Sequence, residues 1–201
     1  MNYLAHAYLS FLHPEVLAGN IISDFVKGKQ KFNYSDGIQK GIMLHRAIDT
    51  FTDNHIASKA GKQLFRTYYG LYAGAFMDIV YDHFLAKDNT AFKDSSLLQF
   101  STKTYAQLDQ YTHVFPDGFS RMYPYMKKQN WLYNYQYPEG IANSFRGLVQ
   151  RAAYMTDSTT AFQIFEEHYD SLQEYYIIFF PEVKAFARLQ LATDFPGYHF
   201  Q

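Results

Sequence analysis

The stretch Gly41-Ile-Met-Leu-His-Arg-Ala-Ile-Asp-Thr-Phe-Thr-Asp-Asn-His55 decides how this chain folds. Read as a helix, it places His45 and Asp49 one turn apart, on the same arc as its leucine and isoleucine side chains. An imidazole and a carboxylate on an apolar face need partners, because an unpaired charge is costly to bury. Two interpretations remain open: a metal ion shared with other acids, or a hydrogen bond between the two side chains within the core.

Helical periodicity extends from this stretch over most of the chain. The 201 residues include only 11 Gly and 6 Pro, and no alternating apolar run flanks an Asn-Gly or Asp-Gly turn. These features predict an all-α protein, a single-domain helical bundle over residues 1–201. Within it we expect residues 1–88 to carry most of the candidate site, 89–191 to supply supporting helices and 192–201 to form a tail.

The net charge and the absence of cysteine limit which molecules and metal ligands the sequence favours. A formal net charge of −1 gives no indication of binding to nucleic acid or to an anionic membrane. The absence of cysteine excludes disulfides and thiolate zinc sites, so a metal would be held by His, Asp, Glu, Asn or backbone oxygen. The N-terminus lacks a basic signal region, and no apolar run approaches the roughly 20 residues of a membrane span. We therefore expect a soluble, cytoplasmic protein.

A second helix, predicted over residues 75–86, is apolar nearly all round, which is typical of a helix in the centre of a bundle. Asp78 and Asp82 interrupt it on one narrow stripe, a single turn apart. Two carboxylates in an apolar setting cannot both stay ionised unless a cation joins them, so the stripe favours a cation site over a purely structural role. His83 lies about 100° further round the helix, where it either reaches the ion through a distorted turn or supports the ligands.

Three shorter features precede the first of these helices. His6 lies among apolar residues in a helix predicted over residues 2–13, and Asp24 follows an apolar pair in a segment bracketed by Gly19 and Gly28. A structural role, as a core histidine and as a turn residue, is open for both. A basic surface segment follows Asp24, with Lys27, Lys29 and Lys31 in it and Lys40 beyond it.

Nine short motifs, each different, are spread along nearly the whole chain. They are Asn2-Tyr-Leu-Ala-His6, Gly19-Asn20, Asp24-Phe25, His45-Arg46 with Asp49, Thr52-Asp53, Asp82-His83-Phe-Leu85, Asn130-Trp131-Leu132, His168-Tyr169 and Phe180-Pro181. In this order and spacing they resemble the acyl carrier protein phosphodiesterases. The resemblance implies removal of the phosphopantetheine arm from holo-acyl carrier protein with a divalent cation, Mn²⁺ or Mg²⁺. It also implies an all-helical fold like that of the HD-type metal phosphohydrolases. The dipeptide Asp82-His83 reverses the His-Asp order of that type.

The residues and the resemblance together give a set of expected roles. A phosphodiester repels hydroxide, so its hydrolysis needs a cation and a positioned, acidified water. We expect these residues to form two sets, one catalytic and one of metal ligands. His6 is expected to donate a proton or hydrogen bond to a phosphate oxygen or the leaving alkoxide, and Asn20 to hydrogen-bond the phosphate or a ligand. The catalytic group comprises Asp24, His6, Asn20 and Asp49, and the metal ligands comprise Asp24, His45, Asp78, Asp82 and His83.

The expected partner is the acidic acyl carrier protein. A basic patch beside the site would steer it into place, and the candidates are Lys27, Lys29, Lys31 and Arg46. Two other functions stay open, namely hydrolysis of a nucleotide or other small phosphoester, and metal binding without catalysis. A carrier protein predicts a basic surface near the site, whereas a nucleotide predicts a closed pocket.

Overall fold

A computed structural model describes residues 1–93, 96–152 and 154–196, and these residues form helices and connections without a β-strand. The all-α prediction is confirmed. None of the helices in the described ranges is long and apolar enough to cross a membrane. The α-helices are α1 (Tyr3–Tyr8), α2 (Pro14–Ile22), α3 (Asp36–Asn54), α4 (Ile56–Tyr69), α5 (Ala73–Lys87), α6 (Ser96–Asp109), α7 (Asp117–Lys128), α8 (Trp131–Asn134), α9 (Pro138–Arg151), α10 (Thr159–Glu167) and α11 (Tyr169–Asp194), with 3₁₀ turns at Ser23–Phe25, Gly28–Asn33, Gly70–Tyr72 and Thr112–Val114.

Helix α5 runs through the centre of the bundle, as its apolar sequence predicts. Every residue from Phe76 to Ala86 is buried except Asp78, which is partly exposed. Helices α1, α4, α9 and α11 pack around it. Burial of this helix on all sides explains why it shows no single apolar stripe.

Helices α2 and α3 cross at two glycines. A β-carbon on Gly19 would lie 3.0 Å from the Cα of Gly41 and would overlap the carbonyl oxygen of Ile38. Only glycine permits this approach of one backbone to the other. The crossing brings the backbone carbonyl of Asn20 on α2 to within 2.8 Å of the Nδ1 atom of His45 on α3.

Helix α1 is shorter than the helix predicted over residues 2–13. The chain leaves the helical conformation and adopts left-handed backbone angles at Phe11 (φ 46°) and Leu12 (φ 61°). Near the helix end, the Asn20 side chain donates to the carbonyl of His6 at 2.9 Å, so this tertiary contact replaces continued helical bonding. Periodicity alone did not indicate a contact between separate helices.

Helix α11 also differs from the prediction, since Pro181 lies inside it and does not begin a last helix. Phe180 and Val183 are buried on either side of the exposed Pro181, so packing keeps the helix continuous despite the lost hydrogen bond. The predicted tail over residues 192–201 begins within this helix, which continues to Asp194; residues 197–201 lie outside the described ranges.

Candidate functional site

Four side chains from α1, α3 and the Ser23–Phe25 turn converge at one point, and we call them the His–Asp cluster: His6, His45, Asp24 and Asp49. The Nε2 atom of His45 lies 3.1 Å from a carboxylate oxygen of Asp24 and 3.1 Å from one of Asp49. The Nε2 atom of His6 lies 3.3 Å from the other oxygen of Asp49. Both imidazoles are buried, whereas the Asp24 side chain is 67% exposed and that of Asp49 39% exposed. The cluster is therefore buried on one side and open to solvent on the other.

His45 is oriented by the backbone of α2. Its Nδ1 atom faces the carbonyl oxygen of Asn20 at 2.8 Å and donates to it, which turns Nε2 towards Asp24 and Asp49. Burial lowers the pKa of His45, but the hydrogen bonds to the two carboxylates outweigh burial and raise the pKa to about 9. Without a metal, His45 is thus an imidazolium between two acids.

His6 packs against the ring of His45 but, unlike His45, favours its neutral form. Burial and the nearby His45 charge lower the pKa of His6 to about 4, so this imidazole is neutral at pH 7. Its Nε2 atom faces the carbonyl oxygen of Met1 at 3.1 Å as well as Asp49, and its Nδ1 atom is buried without a hydrogen-bond partner among the described residues. One nitrogen of His6 therefore has unused bonding capacity.

The ammonium group of Met1 is a second buried cation beside the cluster. It lies 3.3 Å from Asp49 and 3.1 Å from Asp78. Burial lowers the pKa of the Met1 amine, but Asp78 and Asp49 outweigh burial and raise it to about 11. For Asp49, the Met1 ammonium and both histidines outweigh burial and hold the pKa of the carboxyl below its usual range. No pattern in the sequence indicated that Met1 would take part.

The stripe on α5 has partners other than a metal in this structure. Asp82 is fully buried and accepts hydrogen bonds from the backbone amides of Leu4 at 2.7 Å and Ala5 at 3.1 Å, the first turn of α1. Burial raises the pKa of Asp82 to about 7, although these two amides oppose the shift. Asp78 has the Met1 ammonium as its partner. Residues 1–5 thus supply both carboxylates with partners, a cation for Asp78 and two hydrogen-bond donors for Asp82.

His83 faces away from the His–Asp cluster. Its Nδ1 atom lies 2.7 Å from the carbonyl oxygen of Tyr135, and its Nε2 atom lies 3.0 Å from the hydroxyl of Tyr169. Both ring nitrogens are therefore occupied. Among the described residues, the group able to hold a metal consists of His6, His45 and Asp49, and it includes neither Asp82 nor His83.

The other residues singled out in the sequence support or flank the cluster. Asn20 is fully buried, and its amide donates to Ser10 as well as to the His6 carbonyl. Arg46 donates to the carbonyl of Val26 at 2.8 Å and so holds the turn that carries Asp24. The basic side chains after that turn differ in exposure: Lys27 and Lys29 are exposed, Lys31 is partly exposed, and Lys40 is paired with Asp36 at 2.8 Å.

The donor set fits a divalent cation. One ligand atom each from His6, His45 and Asp49 lies within 4.8 Å of the others, and Asp24 adds a further carboxylate to His45. Carboxylate oxygens are typical ligands for Mn²⁺ and Mg²⁺, and imidazole nitrogens are typical ligands for divalent iron, nickel and zinc. A ligating histidine usually donates its other ring nitrogen to a carbonyl or carboxylate, as His45 does. The proton on Nε2 of His45 lies between the carboxylates of Asp24 and Asp49, and a metal ion could take its place there.

Comparison with known proteins gives a consistent result. A family described as acyl carrier protein phosphodiesterase matches residues 1–183. Relatives carrying the same name include one from Photorhabdus laumondii, 31% identical over 90% of this chain and 92% of its own length. Others are from Salmonella paratyphi A (31%, covering 92% and 96%) and Yersinia enterocolitica (30%, covering 94% and 98%). No solved structure matches the chain.

Proposed function

Because the chain belongs to the acyl carrier protein phosphodiesterase family, we propose that it hydrolyses the phosphodiester between holo-acyl carrier protein and its phosphopantetheine arm. The observation that carries the proposal is the His–Asp cluster, buried at its histidines and open to solvent at Asp24. A phosphodiester attached to a protein surface can approach such a site without entering a closed cavity. The products are apo-acyl carrier protein and phosphopantetheine.

We assign the cation-binding role to His6, His45 and Asp49, with Asp24 beside them. A divalent ion held by these residues, Mn²⁺ or Mg²⁺, would supply positive charge for the phosphodiester and would acidify the attacking water. His6 is neutral at pH 7, so it is better suited to binding a cation than to donating a proton. This assignment includes His6 and Asp49 in place of Asp78, Asp82 and His83. Asp78 is paired with the Met1 ammonium, and Asp82 and His83 are hydrogen-bonded to other partners.

Several residues act by positioning the cluster. The Asn20 carbonyl fixes the tautomer and direction of His45, and Arg46 fixes the turn that presents Asp24. The Met1 ammonium neutralises part of the charge of Asp49 and Asp78, which reduces the repulsion between acids at this end of α5.

The surroundings of Asp24 favour a carrier protein over a nucleotide. Lys27 and Lys29 are exposed, and they follow the exposed Asp24 by three and five residues in the sequence. Exposed basic residues near an open site attract an acidic protein and raise its association rate. This basic surface favours the carrier protein over a small phosphoester in a closed pocket.

The test uses purified protein, holo-acyl carrier protein and Mn²⁺, with the carrier protein followed by mass spectrometry. The proposal predicts conversion of the holo to the apo mass together with release of phosphopantetheine. Parallel reactions with AMP and with bis(p-nitrophenyl) phosphate examine the small-phosphoester alternative. Hydrolysis of AMP with no change in the carrier protein would contradict the proposal.

A further inference from the structure

A groove with a cavity volume of about 730 Å³ is lined by Asn2 and Tyr3, at the start of the helix that carries His6. Its walls are the start of α1, the segment around α8 and one face of α9, from Asn143 to Arg151. The volume is in the range of small-molecule sites, roughly 300–1,000 Å³. None of the roles assigned above uses this groove.

Tyr3 connects the groove to the cluster. It lines the groove and lies three residues before His6 on α1, so the two side chains are neighbours on one face of the helix. A chain of aromatic rings also runs from Phe25, next to Asp24, through Phe119 and Tyr3 to Trp131, with centroids 5.6, 6.5 and 6.4 Å apart. Burial and the charge of Asp24 raise the pKa of Tyr3, while the charge of Arg151 lowers it. Tyr3 is therefore close enough to interact electrostatically with Asp24 of the cluster and with Arg151 of the groove.

The groove holds two arginines without acidic partners. In the described residues no carboxylate lies within 4 Å of Arg146 or Arg151. Arg151 donates to the sulfur of Met122 at 3.7 Å, a weak acceptor, and Arg146 donates to the amide oxygen of Asn143 at 2.9 Å. A guanidinium that is not paired with an acid is well suited to a phosphate, which it can bind with two parallel hydrogen bonds.

The rest of the lining suits an uncharged amide chain. Trp131 and Tyr3 offer aromatic surface, and Glu139 is the single acid in the described lining. The remaining polar side chains are mostly amides that can both donate and accept hydrogen bonds. They are Asn2, Gln129, Asn134, Asn143 and Gln150. A phosphopantetheine arm carries the matching groups, namely a phosphate, a branched apolar segment and amides.

We propose that the groove between α1, α8 and α9 binds the phosphopantetheine arm, with Arg146 and Arg151 on the phosphate side and Trp131 against the chain. The identity of the occupant rests on the proposed function. The groove thus holds the part of the substrate that leaves, while the His–Asp cluster faces the bond to be cleaved.

The chain has one tryptophan, so Trp131 fluorescence reports on the groove directly. Phosphopantetheine and pantetheine should each give a saturable change, whereas cysteamine, the thiol end alone, should not. In the double variant Arg146→Gln/Arg151→Gln, the Kd for phosphopantetheine should rise about 10-fold to 100-fold, the usual cost of a lost charged hydrogen bond. The Kd for pantetheine should be nearly unchanged. Arg66→Gln, an exposed arginine on α4, is the matched control and should behave as wild type.

The outcomes separate this inference from the proposed function. Three results would overturn the groove assignment, even if holo-acyl carrier protein is hydrolysed. They are no saturable change in Trp131 fluorescence with phosphopantetheine, the same Kd for phosphopantetheine in wild type and the double variant, and a Kd for AMP comparable with that for phosphopantetheine. Binding of phosphopantetheine with the expected arginine dependence supports the groove, even if the carrier protein is left intact, in which case the proposed function fails alone.

Discussion

The rings of His6 and His45 are stacked, with centroids 3.9 Å apart and planes inclined by 15°. Two imidazolium ions cannot share such a contact in a buried position without strong repulsion, so one ring is charged and the other neutral. The pKa of His45 is raised to about 9 and that of His6 is lowered to about 4. The pair presents nitrogen atoms to the same carboxylate, Asp49, and this shared target makes it a candidate cation site.

Divalent metal should stabilise the folded protein through this pair. A ligand that binds only the folded state raises the melting temperature, and the stabilisation grows with the logarithm of the ratio of its concentration to its Kd. We expect Mn²⁺ to raise the Tm of wild-type protein by several degrees at saturating concentration, and His45→Gln to lose most of that gain. Differential scanning fluorimetry measures both. Equal metal-induced gains in the two proteins would show that His45 makes only an ordinary core hydrogen bond.

Asp82 should prove to be a stabilising residue rather than a ligand. Asparagine keeps one acceptor oxygen for the amides of Leu4 and Ala5 but loses the other, which leaves a buried donor poorly paired. Asp82→Asn should therefore lower the free energy of unfolding by about 1–3 kcal/mol. The gain in Tm on adding Mn²⁺ should persist. Unchanged stability together with loss of the metal effect would return Asp82 to the ligand set.

His83 should make the protein sensitive to acid. Burial lowers its pKa to about 4, against 6.5 for the ordinary residue, although the bond to Tyr135 opposes the shift. Between these values the unfolded chain binds a proton that the folded protein does not, so stability is full above pH 6.5 and falls as the pH drops towards 4.

The change that isolates this effect is His83→Asn, which keeps a donor for the Tyr135 carbonyl. His6 also has a lowered pKa, so the informative quantity is the difference between wild type and variant. From pH 7 to pH 5, wild type should lose up to about 2 kcal/mol more stability than the variant, measured by urea unfolding. Identical pH dependence in the two proteins would contradict the assignment.

The basic segment after Asp24 should act on the encounter with the carrier protein. Replacing Lys27, Lys29 and Lys31 with Glu should lower kcat/KM for holo-acyl carrier protein about tenfold or more and flatten its salt dependence. Hydrolysis of bis(p-nitrophenyl) phosphate should stay near the wild-type rate. The matched control replaces three other exposed lysines, Lys59, Lys93 and Lys103. Equal losses on both substrates would mean that the segment supports the site itself.

The sequence predicts those features that depend on neighbours along one helix. The periodicity of α3 places His45 and Asp49 together, and that of α5 predicts its burial. It does not predict contacts between distant segments. Asp82 meets the amide of Leu4 across 78 positions, and Met1 meets Asp78 in the same region. The carboxylate stripe favoured a cation site. In the structure Asp78 pairs with the Met1 ammonium, and Asp82 accepts from two backbone amides of α1, contacts that periodicity along α5 does not describe.

Replacement of Asp24 shows most directly whether the His–Asp cluster performs the hydrolysis. Its side chain is exposed, and asparagine keeps an oxygen that can accept from Nε2 of His45, so Asp24→Asn should lower the Tm only modestly while removing a carboxylate from the cluster. The measurement is the initial rate of arm removal from holo-acyl carrier protein in Mn²⁺, followed by mass spectrometry, with the exposed Asp36→Asn as control. We expect a loss of about 100-fold or more in Asp24→Asn, as for catalytic groups generally, and the wild-type rate in the control. A wild-type rate in Asp24→Asn would show that the His–Asp cluster does not perform the hydrolysis.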